Sequence, residues 1–184
     1  DCVVSGILFT APNATGQVVD LSGWGFFEFS YNWVLGQATV PTSIGILVDG
    51  QTVSDTTYGV IDHNYVGLCT YPIVVRGSAN SHLFSANRLQ PIEPGSCFQI
   101  ASVAGVGPNN ITILSNVMET TEDNIIGVNI VGPAAIEGIN LISNRFEFSG
   151  AGVIGTSIVA AASNVTLFGN YYSSFSNYLA DTGH

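Results

Sequence analysis

Two carboxylates stand at comparable places in this chain: Glu28 in FEFSYNW and Asp62 in VIDHNY, each shortly before an asparagine. Hydrolysis of a glycosidic bond needs such a pair, one acid to protonate the leaving oxygen and one carboxylate to attack or to activate water. Glu28 and Asp62 are therefore the candidate catalytic residues, with His63 beside Asp62. A register change of one residue would turn either side chain to the opposite face, and a lone acid on a strand face is usually just solvated. The remaining acids read as surface charge: Glu122 and Asp123 in METTEDN, and Glu93 between prolines in QPIEPG. Glu147 in RFEFSG shares a strand face with Arg145, an ordinary ion pair that contributes little.

Composition excludes several other chemistries. The chain has no lysine, three arginines (Arg76, Arg88, Arg145) and 13 acids, for a net charge of −10. Grip on a phosphate backbone needs several cations on one face, so nucleic acid is not an expected partner, nor is an anionic membrane surface. Cys2, Cys69 and Cys97 share no metal-ligand spacing, so no zinc site is expected. Neither another metal site nor a cofactor is expected. Cys69 and Cys97 are read as small buried hydrophobes, with a disulfide between them as the alternative. The opening DCVVSGILF lacks a basic segment, so no signal peptide is visible. The uncharged stretch between Glu147 and Asp181 is broken by Gly, Ser, Thr and Asn at strand-like intervals, which argues against membrane insertion.

The elements that must position these groups show as a repeat. A hydrophobic run followed by asparagine recurs in FEFSYNW, VIDHNY, HLFSANR, TILSNV, NLISNRF and TLFGNYY. The asparagines are Asn32, Asn64, Asn87, Asn116, Asn144 and Asn170, separated by 32, 23, 29, 28 and 26 residues. ILFTAPN, ending at Asn13, reads as a degenerate earlier copy. Each asparagine is followed by a second strand-like run: SIGILVDG, PIVVRG, SCFQIA, IGVNIVG or GTSIVAA. Turn formers connect the runs, and helical periodicity is weak. A variable period of this size, built from two or three short strands, is what a parallel β-solenoid requires. A sandwich or jelly roll is the alternative. Stacked coils place the six asparagines ~4.8 Å apart at one corner, where each amide can donate to the next and form a ladder.

Alternation beyond the ladder then assigns faces. Val34, Val66, Leu89, Met118, Phe146 and Tyr172 are expected inside. Trp33, Tyr65, Arg88, Val117, Arg145 and Tyr171 are expected outside, in one column. Aromatic faces stack on sugar rings and arginine forks suit carboxylates of acidic sugars. Trp33, Tyr65, Arg88, Arg145 and Tyr171 are therefore the expected glycan-binding residues. The alternative is packing against a loop or a sister subunit, which also favours aromatics. Three sequons, at Asn13, Asn110 and Asn164, are near chance for this composition.

The runs NITILSNVM, GINLISNRF and NVTLFGNYY resemble coils of the right-handed parallel β-helices, a group that includes pectin-lyase-like enzymes and bacteriophage tailspikes. The resemblance covers about residues 24–178 and lies in repeat grammar, which identifies architecture better than function. It implies an all-β, right-handed parallel β-helix of about six to seven coils with three parallel sheets and exposed coil ends. Residues 1–184 are read as one domain: a degenerate first coil at 1–23, repeat coils at 24–178 and a tail at 179–184, with a fragment of a longer chain allowed for. The lyases of the group hold calcium with clustered acids and use Arg or Lys as base. No such cluster appears, so a lyase requires Arg88 or Arg145 to face acids on another coil. The expected function is an extracellular or virion-surface segment, tailspike- or tail-fibre-like, that binds cell-surface polysaccharide as a homo-oligomer, with a trimer favoured. A polysaccharide hydrolase or lyase is the second expectation, and a structural subunit of a filament or surface layer the third.

Overall fold

Each apolar run is too short to bury its own face, so burial comes from stacking one run on the next. A computed structural model describes residues 2–11, 16–37, 43–50, 55–158, 161–173 and 177–181, the last group as backbone. The first coil holds β1 (Cys2–Ser5), β2 (Leu8–Thr10) and β3 (Gln17–Asp20). The second holds β4 (Gly25–Ser30), β5 (Trp33–Leu35) and β6 (Ile44–Asp49), and the third β7 (Thr57–Asp62), β8 (Tyr65–Cys69) and β9 (Tyr71–Arg76). There follow β10 (Leu83–Ser85), β11 (Arg88–Pro91) and β12 (Ser96–Ala101), then β13 (Asn109–Leu114), β14 (Val117–Thr120) and β15 (Ile126–Val131). The sixth coil is β16 (Ile136–Ile142), β17 (Arg145–Phe148) and β18 (Ile154–Ile158). The last is β19 (Ala162–Ser163), β20 (Thr166–Phe168), β21 (Tyr171–Ser173) and β22 (Asn177–Asp181).

Three parallel sheets result. The first contains β1, β4, β7, β10, β13, β16, β19 and β20; the second starts at β2 and ends at β21; the third runs from β3 to β22. The chain is thus an all-β solenoid with three strands per coil, and no helix occurs among the described residues. Like residues stack inside. Phe29, Ile61, Phe84, Ile113 and Leu141 line the first sheet, and Val34, Val66, Leu89, Met118 and Phe146 the second. Ile46, Ile73, Phe98 and Val128 face them from the third.

In the first coil the pairing of Leu8 with Trp33 puts Ile7 opposite Asn32; Asn13, the asparagine expected of that copy, lies outside the described residues. Asn177–Asp181 pairs with β18, so the third sheet reaches into the tail expected from residue 179. All three cysteines are free: Cys69 and Cys97 are buried, in keeping with small core hydrophobes rather than the alternative disulfide, and Cys2 is exposed. Burial pushes the Cys69 thiol up to about 11 and Cys97 well above the usual thiol range, which suits packing rather than reactivity.

One buried polar side chain ties the first sheet to the preceding turn. His82 is buried between Phe27 and Phe84. Its Nδ1 accepts from the Gly59 amide at 3.0 Å, so the proton lies on Nε2, which donates to the Thr56 carbonyl at 2.9 Å. Gly59 allows this approach, since a Cβ there would sit 2.2 Å from Phe27 and 2.7 Å from His82 Nδ1. Burial is the main influence on His82 and holds its pKa below the ordinary histidine value, despite the Thr56 and Gly59 contacts. Below pH ~6.5 the unfolded chain takes up a proton that the folded chain does not. Stability is therefore expected to fall as pH drops from ~6.5 towards the lowered native value. In His82→Gln, whose amide can also donate and accept once each, that part of the pH response should vanish. Urea midpoints measured at about pH 7.5 and about pH 5 check this; equal responses in both proteins would contradict it.

Candidate functional site

The corner between the first and second sheets positions the outward column. In each coil it is a two-residue turn whose first residue has positive φ: Gly6, Tyr31, His63, Ala86, Ser115, Ser143 and Gly169, at 52–70°. That conformation is costly for residues with a Cβ, and the second residue offsets the cost with hydrogen bonds. Asn32 donates from Nδ2 to Asn64 Oδ1 at 3.1 Å. Equivalent bonds of 3.0 Å link Asn64 to Asn87, Asn87 to Asn116, Asn116 to Asn144 and Asn144 to Asn170. Each Oδ1 also accepts the backbone amide of the preceding corner, and each Nδ2 also donates to a carbonyl of the preceding coil, such as Asn116 to Phe84. Asn32, Asn64, Asn87, Asn116 and Asn144 are buried and Asn170 is half-buried. With the corner geometry repeated so closely, the next residue leaves each coil in the same direction.

That next residue forms the column. The register pairs Trp33 with Tyr65, Tyr65 with Arg88, Arg88 with Val117, Val117 with Arg145 and Arg145 with Tyr171. All five expected glycan-binding side chains therefore share one outer row of the second sheet. Trp33 and Tyr65 have ring centroids 5.1 Å apart, and Trp33 is 58% exposed. The Tyr65 hydroxyl donates to Gln90 Oε1, and Gln90 Nε2 donates to Glu119 Oε1. Burial raises the pKa of Tyr65, against the Arg88 charge and with that of Glu119, so the phenol keeps its proton.

The arginines are engaged within the same face. Arg88 Nε and Nη2 lie 2.7 and 2.6 Å from Glu119 Oε1 on the next coil. Arg145 pairs with Glu147, and its guanidinium carbon stands 5.9 Å from the centre of the Tyr171 ring. Each positive charge is matched by a carboxylate, which alters the expectation of forks free for acidic sugars. Arg88 does face an acid on another coil, as a lyase would require. The Glu119 hydrogen bond and charge raise the pKa of Arg88 further, so it holds its proton and is poorly suited to act as a base.

Two shallow depressions follow the column. One of about 510 Å³ is lined by Tyr31, Trp33, His63, Tyr65, Arg88 and Gln90 among others. The other, about 420 Å³, shares Gln90 and continues past Glu119 to Glu147.

The two candidate catalytic acids lie on the neighbouring first sheet. Glu28 pairs in register with Val60, and Asp62 with Ser30, so the carboxylates are one strand apart and two residues along. Ser30 Oγ donates to Glu28 Oε1 at 2.8 Å, and His63 Nδ1 meets Asp62 Oδ2 at 2.8 Å. Glu93 accepts from Asn124 Nδ2, and Asp123 from the Ala151 amide, which fits the surface roles expected of both. No group of three or more acids, cysteines or histidines able to hold a metal occurs among the described residues.

Sequence reasoning missed three exposed rings beside this site, Phe26, Tyr31 and Tyr58, and the stacking of His63 on one of them. Phe26 stacks on Tyr58, centroids 5.0 Å apart and 18° between planes, and Tyr31 stacks on His63 at 4.7 Å and 15°. Aligning FFEFSYNW with YGVIDHNY on their asparagines would have shown both pairs. Phe26 and Tyr58 belong to a second row of positive-φ residues, at 53–66°, with Ser81, Asn110, Gly138 and Asn164. Phe26 is exposed and Phe27 beside it is buried.

No protein-family model matches the chain, and no curated protein sequence does. Among solved structures it is similar to the Streptococcus pneumoniae surface protein and adhesin PfbA, with a TM-score of 0.62 and 10% sequence identity. The match covers 97% of this chain and 66% of the adhesin chain. At that identity the likeness establishes the parallel β-solenoid fold alone.

Proposed function

We propose that this chain is an extracellular recognition module that binds cell-surface polysaccharide through the outward column of its second sheet. The observation that carries the reading is the row itself. Exposed Trp33 and half-buried Tyr65, their rings 5.1 Å apart, continue into a hydrogen-bonded set of Arg88, Gln90 and Glu119 along an open depression. Aromatic faces flanked by fixed donors and acceptors suit pyranose rings, which present apolar faces and hydroxyl edges. The adhesin's role at a bacterial surface accords with surface binding in general. A place on a virion, as in tailspikes, is the finer form of the same proposal. Arg76, Arg88 and Arg145 are each paired with a carboxylate, which argues against phosphate backbones as ligands. The half-exposed Leu114 and Ile142 with exposed Phe168 in one outer row of the first sheet suit lateral contact in a homo-oligomer, with a trimer favoured.

The second reading, a glycosidase, rests on one observation. The register separates the Cα atoms of Glu28 and Asp62 by ~8 Å, from a rise of ~3.3 Å and a strand spacing of ~4.8 Å. Two carboxylates on neighbouring strands of one face are near enough to flank a single glycosidic bond. The test is binding to immobilised polysaccharides, with reducing ends assayed in parallel. Saturable binding without chain shortening is expected. Cleavage abolished by Asp62→Asn or Glu28→Gln would establish the enzyme instead, and no binding to any polysaccharide would reject the recognition reading.

A further inference from the structure

The second and third coils carry three aromatic pairs, each bridging the same two coils: Phe26 with Tyr58 and Tyr31 with His63, both stacked, and Trp33 with Tyr65, tilted by 41°. Only the last pair belongs to the column already described. The other two occupy positive-φ rows in which the remaining coils carry Gly, Ala, Ser or Asn. A bulky ring in that conformation is unfavourable for the backbone, and here the rings gain little burial in return. Phe26 is 60%, Tyr58 54% and Tyr31 60% exposed. Folding alone does not explain two adjacent coils that both depart from the small residues of the other coils.

Between these pairs lie the carboxylates. Glu28 and Asp62 project from the first sheet, flanked by Phe26/Tyr58 on one side and Tyr31/His63 on the other. Among the described residues no arginine pairs with either acid; Glu28 is exposed and meets Ser30 Oγ, and Asp62 is partly exposed and meets His63 Nδ1. Ionised carboxylates only accept hydrogen bonds, so the occupant must supply donors. From Phe26 to Tyr31 is five residues, ~16 Å along an extended strand, which suits an oligosaccharide rather than one ring.

We infer that the three aromatic pairs form a continuous platform for a neutral glycan, hydrogen-bonded through its hydroxyls to Glu28 and Asp62, and that acidic polysaccharides are excluded. This rests on the glycan-binding reading above and narrows it. Charge complementarity decides the class. The platform holds two carboxylates, the chain carries a net charge of −10, and Arg88 and Arg145 are already neutralised by Glu119 and Glu147. A uronic or sialic acid would meet repulsion without a free cation to offset it.

The test uses the full chain against neutral glucans, mannans, galactans and N-acetylhexosamine polymers, and against polygalacturonate and polysialate. Binding is expected only among the neutral polymers. It should fall at least ~10-fold in Phe26→Ser/Tyr58→Ser and in Tyr31→Ser/His63→Ser, and by less than that in Arg88→Gln/Arg145→Gln. Serine already occupies both rows, at Ser81, Ser115 and Ser143, so the first two variants keep the local backbone, and circular dichroism would verify it. Binding of the acidic polymers, lost in the arginine variant, would overturn the inference while leaving glycan recognition standing. Neutral binding indifferent to both serine variants would do the same. Failure of every polymer to bind would overturn both.

Discussion

Replacing Asn116 with alanine is expected to cost about 3–5 kcal/mol of stability, the largest effect of any single polar substitution proposed for this chain. Asn116 is 0% exposed and sits in the middle of the corner stack. Its Nδ2 donates to Asn144 Oδ1, the Phe84 carbonyl and the Leu114 carbonyl at 3.0, 3.0 and 3.2 Å. Its Oδ1 accepts from the Asn87 amide and Asn87 Nδ2 at 2.9 and 3.0 Å. Alanine leaves two donors of Asn87 without that acceptor and removes the Phe84 contact, inside a corner that water does not reach. Asn116→Asp should be at least as damaging, since it loses the donors and buries a charge. Asn170→Ala should cost less, because Asn170 is half-buried and ends the stack, its Nδ2 donating among the described residues only to the Leu141 carbonyl. Urea midpoints rank the three; a loss at Asn116 no larger than at Asn170 would mean that the amide chain does not hold the corner.

The second large effect concerns binding. Trp33→Ala should weaken the glycan complex ~30-fold, about 2 kcal/mol, the scale of a central aromatic contact. Its effect on folding should stay at ~1 kcal/mol, because the ring is mostly exposed and chiefly loses its tilted contact with Tyr65. Val117→Ala, in the same row but with a short apolar side chain, should change affinity less than ~2-fold. Calorimetric titration of the three proteins separates the contributions. Equal affinities would move the site off this row.

The solenoid was legible because its most regular feature is chemically unusual. A buried carboxamide must have partners, and six of them after similar apolar runs define a stack before any coordinate is known. The short strands after the asparagines were harder to separate. Segments such as Trp33–Leu35 and Arg88–Pro91 hold three or four residues, too few for a period to stand out. Ile7 escaped notice at the ladder position because an apolar residue there carries no compositional signal. Of the candidate site, the column residues were readable from alternation past the asparagine. Their partners were not, since Glu119 reaches Arg88 from 31 residues away, whereas Glu147 lies two residues from Arg145 on the same strand. The Phe26 and Tyr58 rings lie outward by ordinary alternation beside buried Phe27 and Gly59; what the sequence did not show is the left-handed backbone on which both sit.

The central claim, that the row beginning at Trp33 contacts glycan, is tested most directly by the fluorescence of that residue. The chain has two tryptophans, and Trp24 meets Phe27 edge-on, so Trp24→Phe should leave Trp33 as sole reporter on an intact fold. Acrylamide quenching is then measured while the neutral oligosaccharide selected by the binding panel is titrated to saturation. The result expected is a saturable drop in quenching, with a midpoint equal to the calorimetric one. Quenching unchanged at saturating glycan would contradict the assignment.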